Sequence, residues 1–234
     1  MEKLGKVLLL PMLLHEEGWE ALPKDISIWI KDCDAFFVEN EKTTRRFFKK
    51  IWKEMVIDDY QWCTIHQVEE AQINLFIQLL KSGKTIGIVY EAGCAGIADP
   101  GQMLVAASQK LGAVVKPYMG PSSILLSLMA SGFNGQGFTF NGYLPIDATE
   151  RKKKIQALEQ IVSSSSIAQL FIETPYRNNQ LLDAILNTCH PTTQLCIAVD
   201  ITGPTESIKT ATIQYWKNNK PELHKKLAIF ILGK

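Results

Sequence analysis

The segment Ile86-Gly-Ile-Val-Tyr-Glu-Ala-Gly-Cys-Ala-Gly-Ile-Ala-Asp-Pro-Gly101 constrains this chain more than any other. Its apolar opening, Ile86 to Tyr90, reads as a buried strand. A loop holding Gly93, Gly96, Pro100 and Gly101 follows, and behind it Met103, Leu104, Ala107 and Leu111 recur at helical spacing. Strand, small-residue loop and helix together build a ligand crevice at the carboxyl ends of an open α/β sheet. Glycines there let main-chain N–H groups come close to a ligand, although a turn that merely needs glycine would look the same. No Gly-Lys-Ser/Thr follows and Gly-x-Gly-x-x-Gly is absent, so this is not a phosphate loop.

The same alternation runs along the whole chain. Strands are expected at Val7–Pro11, Ala35–Glu39, Thr85–Tyr90, Val114–Tyr118, Phe138–Asn141, Ala168–Glu173, Gln194–Val199, Glu206–Thr212 and Leu227–Leu232. Helices are expected at Thr43–Met55, Val68–Lys81, Gly101–Leu111, Pro121–Ala130, Glu150–Ile161 and Arg177–Thr188. Gly83 and Gly112 stand where helix C-caps favour glycine. Alternation implies mostly parallel α/β sheets. A boundary near Tyr118–Gly120 divides the chain into domains 1–118 and 119–234, and the second ends in strands that make its sheet mixed.

Three more segments join the first. Gly120-Pro-Ser-Ser123 opens an apolar helix, with serines to cap free amides. Phe140-x-Gly-Tyr-Leu-Pro145 is a strand entering a turn, and Phe171-Ile-Glu-Thr-Pro-Tyr-Arg177 is a strand passing into a helix. With Glu91-Ala-Gly-x-x-x-x-Ala-Asp-Pro-Gly101, this ordered set resembles the tetrapyrrole-methylase superfamily. Its order and spacing are most similar to the ribosomal RNA small-subunit methyltransferase I branch.

That resemblance implies two α/β domains of the tetrapyrrole-methylase type with the cofactor in the interdomain cleft. It implies an S-adenosylmethionine-dependent methyltransferase, acting by 2′-O-ribose methylation of small-subunit ribosomal RNA, and a homodimer. By family position, Gly93, Cys94, Ala95, Ile97 and Ala98 line the cofactor. Ser122 and Ser123 close over it, and Phe171, Ile172 and Val199 wall the adenine side. For each apolar member, plain core packing is the alternative. The sulfonium is already a strong leaving group, so catalysis is mostly alignment of the acceptor with the methyl carbon and has no loud signature. Glu91, Glu173 and Arg177 are the candidate catalytic groups, because polar residues at strand ends face the crevice. Asp99 and Asp200 fall at similar places, with a helix cap as the alternative for Asp99.

The N-terminal third departs from the branch. Its Thr-Pro-Ile-Gly-Asn-Leu after strand one is replaced by Leu10-Pro-Met-Leu-Leu-His15. Its Glu-Asp-Thr-Arg after strand two becomes Glu39-Asn-Glu-Lys-Thr-Thr-Arg45. The chain therefore looks like a diverged paralogue. Two rival functions follow: methylation of a tetrapyrrole or other small molecule, or a non-catalytic cofactor-binding role.

One feature favours nucleic acid independently. Lys42, Arg45, Arg46, Lys49, Lys50 and Lys53 recur at three- and four-residue spacing on the helix after Glu39. Thr44, Phe47, Phe48, Ile51, Trp52 and Met55 form the opposite side. In a chain of formal net charge +1, such a stripe is a local phosphate rail or a solvated helix face. The remaining composition excludes more than it specifies. No apolar run is long enough to span a membrane, and the N-terminus leads into a strand rather than a signal peptide. The 5 cysteines lack Cys-x-x-Cys spacing and read as reduced thiols of a cytoplasmic protein. The 4 histidines show no metal-ligand spacing, so no metal is expected.

Overall fold

The structure, a computed structural model, describes residues 4–65, 70–94 and 101–234. The chain divides into two compact units, Met1–Ser122 and Ser123–Lys234, somewhat C-terminal of the boundary expected at 118/119.

The first unit holds a parallel 5-stranded sheet. Its strands are β1 (Lys6–Leu10), β2 (Ala35–Val38), β3 (Gln61–Thr64), β4 (Ile86–Val89) and β5 (Val114–Pro117), in the order β3-β2-β4-β1-β5. Its helices are α1 (Ile26–Lys31), α2 (Glu41–Ile51), α3 (Glu70–Lys81) and α4 (Gln102–Leu111). Strands buried on both faces read as continuous apolar runs, as β2 and β4 do. One face packs Leu8, Leu10, Phe36 and Val38 under Ile26 and Ile30 of α1 and Phe47 and Phe48 of α2. The other packs Val7, Phe37, Ile86 and Ile88 under Phe76 of α3 and Leu104 of α4. The chain leaves β1 toward one edge and leaves β4 toward the other, so the crevice between these neighbours opens at their carboxyl ends.

The second unit holds a mixed 5-stranded sheet, β6-β7-β10-β8-β9. Its strands are β6 (Phe138–Tyr143), β7 (Ala168–Ile172), β8 (Gln194–Val199), β9 (Ser207–Thr212) and β10 (Ala228–Gly233). β6 runs parallel to β7, while β10 is antiparallel to both β7 and β8. Helices α6 (Ala148–Ser165), α7 (Asn178–Thr188) and α8 (Ile213–Asn218) supply Ile155, Leu158, Leu182, Ile185 and Trp216 to one core. Helix α5 (Ser123–Ser131) packs against β8, β9 and β10.

The expected elements differ from these in three instructive places. Strand β3 is a four-residue edge strand, partly exposed along its length, and carries no apolar run to betray it. Helix α1 hides in Ile-Ser-Ile-Trp-Ile, which alternates like a strand. Ile26 and Ile30 are buried and Ile28 is 61% exposed, which is helical spacing. Helix α2 stops at Ile51 rather than Met55, because Trp52 turns extended at φ −135°.

Candidate functional site

Four loops meet at the carboxyl edge of the first sheet. The loop after β1 is tied to the loop after β4 by the Met12 amide, which donates to the Gly93 carbonyl at 2.9 Å. The Cys94 thiol donates to the carbonyls of Gly120 at 3.3 Å and Pro121 at 3.6 Å, beyond β5. Gly93 has φ +73°, the left-handed region, and an added Cβ would stand 3.1 Å from both Leu14 and the Pro121 carbonyl. A Cβ at Gly120 would lie 2.1 Å from the Pro11 side chain, so only glycine permits that approach. Ser122, at the end of this turn, is buried. The Glu91 amide donates to the Glu39 carboxylate at 3.1 Å, which adds the loop after β2 to the cluster.

Main-chain groups and small side chains thus converge as a small polar ligand requires. Of the residues expected to line the cofactor here, Gly93 and Cys94 are brought against the Gly120-Pro121 turn that leads into the buried Ser122. Ala95, Ile97, Ala98 and also Asp99 lie outside the described residues. His66 does as well.

The remaining candidates belong to the second unit. Ser123 is the first residue of α5. Phe171 and Val199 lie in the helix-side core, and Phe171 stacks on Phe230 at 6.0 Å. Phe171 is fully buried there, so core packing accounts for its side chain. Ile172 ends β7 partly exposed. Glu173 follows it with a side chain 1% exposed. Its Oε1 accepts from the Thr174 amide at 2.7 Å and from Arg177 Nε at 3.1 Å and Nη2 at 2.7 Å. A buried carboxylate needs such partners, and these lock the turn into α7. Arg177 therefore serves Glu173 first, rather than standing free as a catalytic group. Asp200 sits at φ +49° and accepts from the Thr205 hydroxyl at 2.8 Å.

The basic stripe is divided by the structure. Arg45 pairs with Glu41 at 2.9 Å and lies 4.9 Å over the Trp62 ring. Lys49 reaches past the helix end and donates to the carbonyls of Lys53 and Met55, the latter at 2.9 Å. Lys53 is not on the helix, because α2 has ended before it. Lys42 stands exposed near the start of α2. Arg46 and Lys50 line a pocket of about 270 Å³ with Glu91, His15 and Trp19. Phosphate-sized chemistry and the β4 loop therefore share one concavity, which sequence spacing did not show. Trp19 was missed because it stands in a polar loop, His15-Glu-Glu-Gly-Trp-Glu20, without periodicity.

Among the described residues no cluster of His, Cys, Asp or Glu is arranged to hold a metal ion. No described helix is long and apolar enough to cross a membrane.

No family model matches the chain. It is 31% identical over 156 residues to the ribosomal RNA small subunit methyltransferase I of Bacillus subtilis, covering 67% of this chain and 51% of that protein. The chain spans about half the length of the first curated relatives it matches. Its fold is that of the methyltransferase CobJ, with a TM-score of 0.64 at 12% identity over 98% of this chain and 94% of that one. Uroporphyrin-III C-methyl transferase from Thermus thermophilus, complexed with S-adenyl homocysteine, matches with a TM-score of 0.58 at 14% identity, over 98% of both chains.

Proposed function

We propose that this chain, which has the fold of the methyltransferase CobJ and is similar in sequence to ribosomal RNA small subunit methyltransferase I, transfers a methyl group from S-adenosylmethionine to small-subunit ribosomal RNA. The acceptor is a ribose 2′-oxygen, the assembly a homodimer, and the compartment the cytoplasm. The observation that supports this reading best is the closing of Gly93 and Cys94 onto the Gly120-Pro121 turn, with Gly93 bonded to Met12 and close in the chain to Glu91, both of which line a pocket with Arg46 and Lys50. A cofactor site and a phosphate-binding surface at one sheet edge suit a methyl donor and a nucleic-acid acceptor.

The glycine-bearing turn fits the donor's polar arms, which need main-chain partners and small neighbours. Gly93, Cys94, Ala95, Ile97, Ala98, Ser122 and Ser123 would hold it. Ile172 would wall the adenine side, while the side chains of Phe171 and Val199, expected beside it, are taken up by the core. When bound, the donor supplies a methyl group on a positively charged sulfur. The protein's own part is to orient the acceptor and exclude water. Glu91, exposed in the same pocket, is the acceptor-side carboxylate. A tetrapyrrole acceptor is the second reading, and it rests on the fold of the solved neighbours.

Labelled methyl transfer to small-subunit RNA from a strain lacking this protein tests the proposal, with the label mapped to a nucleoside position. Label on a ribose is expected. Label on a base would overturn the 2′-oxygen. No transfer to RNA, with S-adenosylhomocysteine bound, would favour a small-molecule acceptor or a non-catalytic role.

A further inference from the structure

Two cations of the stripe do not stand on an open helix face. Arg46 and Lys50 border the pocket, and the Lys50 ammonium lies 5.8 Å from the centre of the Trp19 ring. Trp19 stacks on Phe47, with centroids 5.8 Å apart and planes 23° apart. Phe47 is 5% exposed and Trp19 is 38% exposed. The indole is thus fixed against the core while more than a third of its surface stays open. An aromatic ring held rigid beside two cations, in a concavity, suits a flat base joined to phosphates. At about 270 Å³ the pocket lies just under the usual range of ligand pockets, roughly 300–1,000 Å³, which suits one small group rather than a longer stretch of a ligand. Glu16 and Glu91 also line it and offer acceptors to a base-edge amino group or a ribose hydroxyl. Lys42 continues the cationic line along α2 outside the pocket.

We infer that this pocket seats one unpaired nucleotide of an RNA strand, its base against the Trp19 ring and its flanking phosphates on Arg46 and Lys50. The inference rests on the RNA reading above and adds the platform that reads the strand as single-stranded. Duplex RNA keeps its bases stacked on each other and has none to offer Trp19.

Fluorescence anisotropy on the full chain, with a labelled single-stranded oligoribonucleotide across a salt series, tests it. Trp19→Leu keeps apolar bulk and removes the π face. It should weaken binding roughly 5- to 150-fold, the range set by losing one base–aromatic stack. The salt slope should not move, because no charge is lost. Trp19→Phe should recover most of the affinity. Arg46→Gln with Lys50→Gln should flatten the log–log salt slope by about 1.4, at about 0.7 per phosphate contact on a single strand. Unchanged affinity in Trp19→Leu, with the parent's melting temperature, overturns the platform. A nucleoside monophosphate that competes as well as the oligomer overturns the strand in favour of a small ligand. Calorimetry with S-adenosylhomocysteine on the same proteins separates the two levels. If all variants retain it while RNA affinity ignores Trp19, this inference alone fails. A parent protein that binds neither RNA nor S-adenosylhomocysteine overturns the proposed function as well.

Discussion

The amide of Met12 donates to the carbonyl of Gly93 across 2.9 Å, which joins the loops after β1 and β4 at the carboxyl edge of the first sheet. The bond holds Gly93 at φ +73°, with Leu14 and Pro121 close around it. Gly93→Ala should cost about 1–2 kcal/mol, the penalty for an L-residue in the left-handed region, in a denaturant melt. It should also weaken S-adenosylhomocysteine binding several-fold in calorimetry. If both are unchanged, the turn does not need its present backbone.

Lys49 and the pair Arg46 and Lys50 should separate cleanly. The Lys49 ammonium caps the carbonyls of Lys53 and Met55, so Lys49→Met should lower stability by about 0.5–1 kcal/mol. RNA affinity should respond to it less than to Arg46→Glu with Lys50→Glu, which should leave stability near the parent's. A Lys49 variant that loses RNA binding as fully as the double variant would restore a uniform rail.

Arg177→Met should expose the role of the Glu173 pair. It leaves the buried Glu173 carboxylate with only the Thr174 amide among its present donors. Arg177 is 32% exposed at its side chain, which moderates the loss to about 2 kcal/mol. Adding Glu173→Gln should recover part of it. A single Arg177→Met variant as stable as the parent would remove the structural role and leave a ligand-facing one.

The thiols give a pH dependence. Burial pushes the Cys33 thiol far above its ordinary 9.0 and Cys189 up to about 12. The folded state keeps protons that the unfolded chain releases above the usual thiol range. Stability should therefore be full below pH 8 and fall as pH rises past 9. The slope should be about 1.4 kcal/mol per pH unit for each thiol held protonated. Cys33→Ala should flatten that slope. In native protein at pH 8, alkylation should reach Cys94 before Cys33, Cys189 and Cys196, which are buried. S-adenosylhomocysteine should slow it at Cys94.

The α/β class, the mixed second sheet and the turn at Gly93 after β4 were legible in the residues. Each rests on short-range patterning: apolar runs such as Ile86–Tyr90, glycine at turns, and the 3.6-residue period of Phe47, Phe48 and Ile51. Those signals depend only on neighbours in the chain. Strand β3, helix α1 and the early stop of α2 were not legible, because an edge position, a short amphipathic turn and a lysine folding back on carbonyls are set by contacts elsewhere. The site divides in the same way. Gly93, Cys94 and Ser122 could be picked from motifs, but only tertiary structure closed Cys94 onto Gly120 and Pro121, or put Phe171 into a core. Only tertiary structure broke the stripe into a capping lysine, an ion-paired arginine and two pocket cations beside Trp19. Charge spacing on a helix says which side chains share a face. What each charge meets on that face is decided by the loops that other strands bring to it.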